Sequence, residues 1–181
     1  MISADSLGHI RVWDLGENSC SLELIPEQNT PIRTISMSAD GATLVAANNK
    51  GNLYSWAVDS KTQEFHSMCT IKASAKYITR AVISPDMKSL ATCSADHSVK
   101  MWNLPAKSLP GADITLDKVL SGAHQRWVWD CCFSADSAYL VTASSDHSAK
   151  LWDLASGEAI RNYAGHQKAV VCLALHDTLT T

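Results

Sequence analysis

The chain has 181 residues, 46% of them hydrophobic, with 15 lysines and arginines against 18 aspartates and glutamates and no run of either sign. That is ample apolar material for a core, and it lacks the basic footprint of a protein that wraps nucleic acid or coats an anionic membrane. The first residues lack a secretory pattern, and no apolar stretch approaches the roughly 18–20 residues of a membrane-spanning helix, so a soluble, cytoplasmic chain without direct membrane insertion is expected.

Short strands are predicted along the whole length. Residues 1–23 supply three of them. Four follow near 31–37, 43–47, 53–57 and 64–71, and four more near 77–83, 89–94, 98–104 and 116–120. The clearest set is 127–134, 138–144, 148–154 and 159–163, after which 169–176 reads as one further strand. Turn chemistry separates them, with Ser134-Ala135-Asp136-Ser137, Asp146-His147 and Ser156-Gly157 as the best examples. The longest connection, 105–117, carries Pro105, Pro110 and Gly111 and reads as a surface excursion, because loop closure grows costly only slowly with length.

Four tryptophans punctuate this pattern: Trp13, Trp56, Trp102 and Trp152. The aspartates of Ser38-Ala39-Asp40, Ser84-Pro85-Asp86 and Ser134-Ala135-Asp136 each stand 16 residues before the next tryptophan (40→56, 86→102, 136→152). The Trp-to-Trp spacings of 43, 46 and 50 therefore vary only outside that frame. A four-stranded unit of this period, closing on Trp or Trp-Asp, is the blade of a WD-repeat β-propeller. The expected fold is all-β and a partial propeller. Its expected divisions are an incomplete blade at 1–25, full blades at 26–72, 73–121 and 122–164, and at 165–181 a strand belonging to a blade not otherwise present.

His124, Ser144, Asp146 and Trp152 are the expected structural tetrad of the best-formed blade. The indole N–H is expected to reach Ser144, the serine His124, and the imidazole the Asp146 carboxylate, sparing buried polar groups about 1–3 kcal/mol each in lost solvation. A hydrolase reading of the same residue types lacks a Gly-x-Ser-x-Gly elbow. Around Trp102 the histidine position holds Ser74, with Ser94 and Asp96 retained; before Trp56 the sequence reads Ala46-Ala47-Asn48-Asn49. No cofactor motif is found, since Gly8, Gly41 and Gly51 are single turn glycines. No metal site is expected: His9, His66 and His176 stand at no ligand spacing, and Cys20, Cys69, Cys93, Cys131, Cys132 and Cys172 form no zinc-type pair and read as reduced and buried.

Arg126-Trp127-Val128-Trp129-Asp130 is the most unusual segment. Two tryptophans spaced by two project from one face of a strand. They serve either packing between blades or an aromatic–arginine contact patch of the kind binding hot spots favour. Tyr77, one blade earlier, and Arg80 extend the stripe, and Lys168 takes the Arg126 position one blade later. His97 and His147 each follow a turn aspartate and read as top-face residues, functional or merely solvated.

Taken in order, Ser3-Ala4-Asp5, Ile10-Arg11-Val12-Trp13-Asp14-Leu15, the runs 45–49, 90–96, 124–130 and 140–146, and Gly165-His166-Gln167-Lys168-Ala169-Val170-Val171-Cys172 carry a closer likeness. The chain resembles the G-protein-β-subunit-like WD-repeat subunits of the target-of-rapamycin (TOR) kinase complexes along nearly its whole length. The resemblance implies a closed seven-bladed propeller of which this chain lacks the N-terminal part, with 169–176 as the closing strand of the first blade. It implies a non-catalytic scaffold that binds and stabilises the C-terminal lobe of the TOR kinase domain beside other complex subunits. No cofactor, nucleic acid or small-molecule substrate is implied, and endomembranes would be reached only through the complex. The residues implied in docking are Tyr77, Arg126, Trp127, Trp129, His147, Gln167 and Lys168. The alternative is another WD adaptor such as a ubiquitin-ligase substrate receptor. Those often carry Trp-Asp-x-Arg, whereas Gly16 and Ala155 stand in that Arg position here.

Overall fold

Alternating side chains along short β-branched runs, broken by Ser-x-Asp turns, give antiparallel meanders and nothing else among the described residues. The structure, a computed structural model, describes residues 1–59, 61–106, 111–120 and 122–177. The first sheet holds β1 (Ile2–Ala4), β2 (Ile10–Asp14) and β3 (Ser19–Leu24). The second holds β4 (Ile32–Met37), β5 (Thr43–Asn48), β6 (Asn52–Val58) and β7 (Phe65–Lys72), and the third β8 (Ile78–Ile83), β9 (Ser89–Ser94), β10 (Val99–Asn103) and β11 (Thr115–Leu120). The fourth holds β12 (Val128–Phe133), β13 (Tyr139–Ser144), β14 (Ser148–Asp153) and β15 (Glu158–Ala164). The four strands of a sheet are called a to d in chain order; the three-stranded first sheet supplies b, c and d.

The sheets stack side by side, and successive residues of one strand feed the cores on its two sides. Leu44 and Ala46 of β5 join Ile10, Tyr54 and Trp56 between the first and second sheets. Val45 and Ala47 join Leu53, Ile78, Leu90 and Trp102 between the second and third. Ala91 and Cys93 join Val128, Leu140 and Trp152 between the third and fourth. Strands covered on both faces read as continuous apolar runs, which is why β5 is buried at every position while the outer β15 is exposed at every one.

Two bulges recur. Strand d carries one extra residue opposite each tryptophan, so that Trp56 faces Ser67, Trp102 faces Leu116 and Trp152 faces Ala159 after a skipped position. Strand a bulges after its first residue, at Arg33, Thr79 and Trp129, and a bulge re-aims the extra side chain out of the pleat. Neighbouring a strands are bonded directly: Ala81 N donates to Thr34 Oγ1 (3.2 Å), Ile83 N to Ser36 Oγ (3.2 Å), and Thr79 Oγ1 to the Val128 carbonyl (2.5 Å). The partners advance together, 34 to 36 with 81 to 83, so the a strands run the same way and the sheets share two common ends. One end, the top, carries the b–c turns and the connections from d to the next a. The other carries the a–b and c–d turns.

Two expectations are corrected. Residues 169–176 form no strand. They run along β12, held by Val170 N to the Ser144 carbonyl (3.0 Å) and by Leu173 N to the Asp130 side chain (Oδ2, 3.0 Å), and these contacts do not make a backbone ladder. The final residues 178–181, and 107–110 of the long connection, lie outside the described residues. Of the cysteines, Cys93 and Cys131 are buried, but Cys20 and Cys172 are exposed.

Gly51 shows how tightly the top turns are packed. It has φ +84°, and an added Cβ would stand 2.3 Å from the Ser74 carbonyl oxygen and 2.4 Å from that of Lys76. Gly41 has φ +72° but open space around it. Gly41→Ala is expected to cost about 1–2 kcal/mol, the price of a left-handed alanine. Gly51→Ala must in addition push backbone away, and is expected to lower the urea midpoint by at least twice as much.

Candidate functional site

The top face is organised from within by a buried indole. Trp152, 1% exposed, donates its Nε1–H to Thr142 Oγ1 (2.9 Å), which lies 2.9 Å from His124 Nε2; His124 Nδ1 lies 2.7 Å from Asp146 Oδ2. The direction of donation follows from the ends. The indole can only donate and the carboxylate only accept, so the threonine hydroxyl donates to Nε2 and the imidazole is neutral with its proton on Nδ1. Burial pushes the His124 pKa down despite Asp146, which agrees with that neutral form. Asp146 is held at about 2 by hydrogen bonds from Ser148 and His124 acting against its own burial.

Three of the four expected tetrad residues are thus in one chain, but the fourth is Thr142 and not Ser144. Ser144 Oγ donates instead to the Trp127 carbonyl (2.9 Å) and accepts from Asp146 N (3.1 Å). Both residues share a face of β13. Ser144, however, lies at the bulged end opposite Val128, one pleat too high to meet the indole. A signal for the correct residue exists in the sequence: a hydroxyl ten residues before the tryptophan in three sheets (3→13, 92→102, 142→152). Trp13 donates to Ser3 Oγ (2.8 Å) and Trp102 to Thr92 Oγ1 (2.9 Å).

The other sheets close the same position differently. In the third, Ser74 Oγ lies 2.6 Å from both Ser94 Oγ and Asp96 Oδ2. In the second, acid and base have changed places. Lys50 stands where Asp146 does and Glu27 reaches in from the d–a connection, pairing at 2.6 Å. Glu27 Oε2 also accepts from Tyr54 (2.7 Å), Asn48 (2.9 Å) and Asn52 (3.1 Å). Lys50 and Tyr54 lead in holding the Glu27 carboxyl at about 2, while burial first and Glu27 next push Tyr54 up to about 12.

Above this layer side chains from three sheets meet. Tyr77 and Trp127 stand edge to face at 5.4 Å and 82°, and Trp127 and Trp129 at 5.5 Å and 64°. The Arg33 guanidinium lies 5.8 Å over Tyr77, and Trp129 Nε1 donates to Ser145 Oγ (2.6 Å). Trp127 is 39% exposed, Tyr77 and Trp129 are half-buried, and Arg126 is exposed. Trp127 immediately precedes β12 and Trp129 is its bulged residue. His147, Gln167 and Lys168 sit exposed in top loops, with no side-chain bond to this ladder among the described residues. Arg33 and Ser145 were not anticipated. Arg80, expected in the stripe, instead pairs with Asp130 (3.2 Å) between the inner strands.

Among the described residues no group of three or more His, Cys, Asp or Glu could hold a metal ion. The WD domain, G-beta repeat family matches residues 65–103 and 115–153. The target of rapamycin complex subunit wat1 of Schizosaccharomyces pombe is 52% identical over 179 residues, which is 98% of this chain and 55% of the relative. The target of rapamycin complex subunit LST8 of Saccharomyces cerevisiae is 51% identical over 165 residues (90% and 52%). The subunit of the same name from Bos taurus is 40% identical over 184 residues (99% and 56%). Sheets, bulged tryptophans and repeat matches together define a WD-repeat protein built of β-propeller blades. Within that class the chain is similar along nearly its whole length to the LST8 and wat1 subunits of target of rapamycin complexes, and it spans about half the length of the curated relatives it matches.

Thr142→Val keeps the shape of the side chain but strands the indole N–H and His124 Nε2, each costing about 1–3 kcal/mol. Ser144→Ala is expected to cost less, and urea unfolding of the two variants ranks them. A pH series tests the neutral imidazole. Because the folded pKa of His124 is depressed below the usual 6.5, its contribution is complete above that value and declines as pH falls through it. A second loss follows between 3.8 and about 2 as Asp96 and Asp146 protonate. His124→Gln should flatten the first decline and reduce only the Asp146 share of the second, leaving that of Asp96.

Proposed function

We propose that this chain is a non-catalytic scaffold that docks on a TOR kinase through the top of its later blades and stabilises the kinase's active architecture. The C-terminal lobe of the kinase domain is the element it grips, within a cytoplasmic complex. The observation that carries this reading is the Tyr77–Trp127–Trp129 ladder, half-buried at its ends and exposed at Trp127, in a chain whose relatives are named as subunits of target of rapamycin complexes. Large aromatic anchors beside arginine are what interface hot spots are made of. Their rings are already held by edge contacts and by the Trp129–Ser145 bond, so little side-chain freedom remains to be lost on binding.

A scaffold reading also fits the chemistry of the only Ser, His and Asp cluster singled out by the sequence. The His124 side chain is wholly shielded from solvent and both its nitrogens are engaged, while Ser144 Oγ faces a backbone carbonyl. Neither residue is placed to activate the other as a nucleophile.

Trp127→Ala is expected to weaken binding to the purified TOR kinase domain by about 2 kcal/mol, roughly 30-fold, while the unfolding midpoint shifts little. Trp129→Ala should act in the same direction with some loss of stability, since Ser145 loses its partner. Undiminished kinase binding by both variants would remove the ladder from the interface.

A further inference from the structure

The two ends of the sheets carry opposite charge, and the ladder lies on the positive one. At the bottom, Asp14, Asp59 and Asp153 occupy the c–d turns and Asp40, Asp86 and Asp136 the a–b turns. Each accepts hydrogen bonds from its own turn, as Asp40 Oδ1 does from Ser38 Oγ (2.6 Å) and Ala42 N (3.0 Å), and none is ion-paired among the described residues. Lys61 and Lys88 are the cations of the described bottom turns. These carboxylates serve as turn caps and leave their charge facing solvent.

The top differs in how its charges are used. Around the ladder its acids face inward: Asp146 toward His124 and Ser148, Asp96 toward Ser74 and Ser98, Glu27 toward Lys50 and Tyr54. Its cations around the ladder face outward. Lys76, Arg126 and Lys168 are exposed and make no ion pair among the described residues, and Arg33 lies on a ring. Lys76 and Arg126 come from the connections that precede Tyr77 and Trp127, so these two cations each flank an aromatic anchor.

We infer that the partner segment seated on this face is acidic and apolar: aliphatic or aromatic side chains against Tyr77 and Trp127, with carboxylates opposite Lys76, Arg126 and Lys168. The inference rests on the docking reading above and names the chemistry of the surface it meets. Opposed end charges also orient the chain as it approaches, so that the acidic end is turned away from an acidic partner before contact, an effect that raises association rates and fades with salt.

The test uses the 181-residue chain and a purified TOR kinase domain. Zero-length carbodiimide coupling, read by peptide mass spectrometry, should join Lys76 or Lys168 amines to kinase Asp or Glu side chains. R126E with K168E should slow association at least tenfold at about 50 mM salt, with the difference shrinking near 300 mM as screening shortens. D40N with D86N, which keep the turn acceptors, should leave affinity within twofold. Kinase binding that ignores salt and the R126E/K168E change would overturn the acidic partner while leaving the docking reading in place. Equal, R126E/K168E-sensitive binding to phosphatidylserine vesicles would overturn it in favour of a phosphate surface. Absence of kinase binding by the unmodified chain, folded by its unfolding transition, would overturn both.

Discussion

An indole buried between two sheets must find an acceptor for its N–H, and much of the top face follows from how it does so. For Trp152 the acceptor is a threonine on the neighbouring strand, and the threonine's own proton needs a base. That base is a histidine brought in by the connection from the previous sheet, and its second nitrogen needs an anion, supplied by the b–c turn. One buried N–H thus ties strand c to strand b, then to two top loops. Cutting any link leaves a buried polar group unpaired, which is why such chains are all or nothing. The loops so fixed are the ones that carry Arg126, Trp127 and His147.

The second sheet shows that the requirement is for a closed polar network and not for particular residues. A glutamate and a lysine in exchanged positions, with Tyr54 and two asparagines, brace the same two loops. The third sheet does it with two serines and an aspartate. The d–a connection and the b–c turn are joined each time, so the platform stays level although the chemistry beneath it changes.

Strand positions were legible in the sequence to within one or two residues, because alternation and Ser-x-Asp turns are local and the repeat samples them several times. The tetrad was legible in kind but not in membership. Thr142 and Ser144 point the same way, and only the register beside the β12 bulge decides which one meets the indole. The ladder was partly legible. Trp127 and Trp129 stood out by rarity and by their spacing of two, whereas Arg33 escaped notice because its role depends on a ring in the next sheet. The strand expected at 169–176 is the converse case: its residues suit a strand, but a ladder is a property of two segments.

Arg33, Thr79 and Trp129 occupy the same bulged position in three sheets, each standing outside the pleat that packs the cores. A side chain there stands apart from the apolar layers: Arg33 and Trp129 reach the rim, whereas Thr79 bonds its sheet to the next. The residues that fill the cores and those free to vary at the rim are therefore different positions of the repeat. A guanidinium, a hydroxyl and an indole have come to occupy equivalent sites without disturbing the apolar layers beneath them. A blade built this way can acquire a new contact by one substitution, and the number of such sites grows with the number of blades.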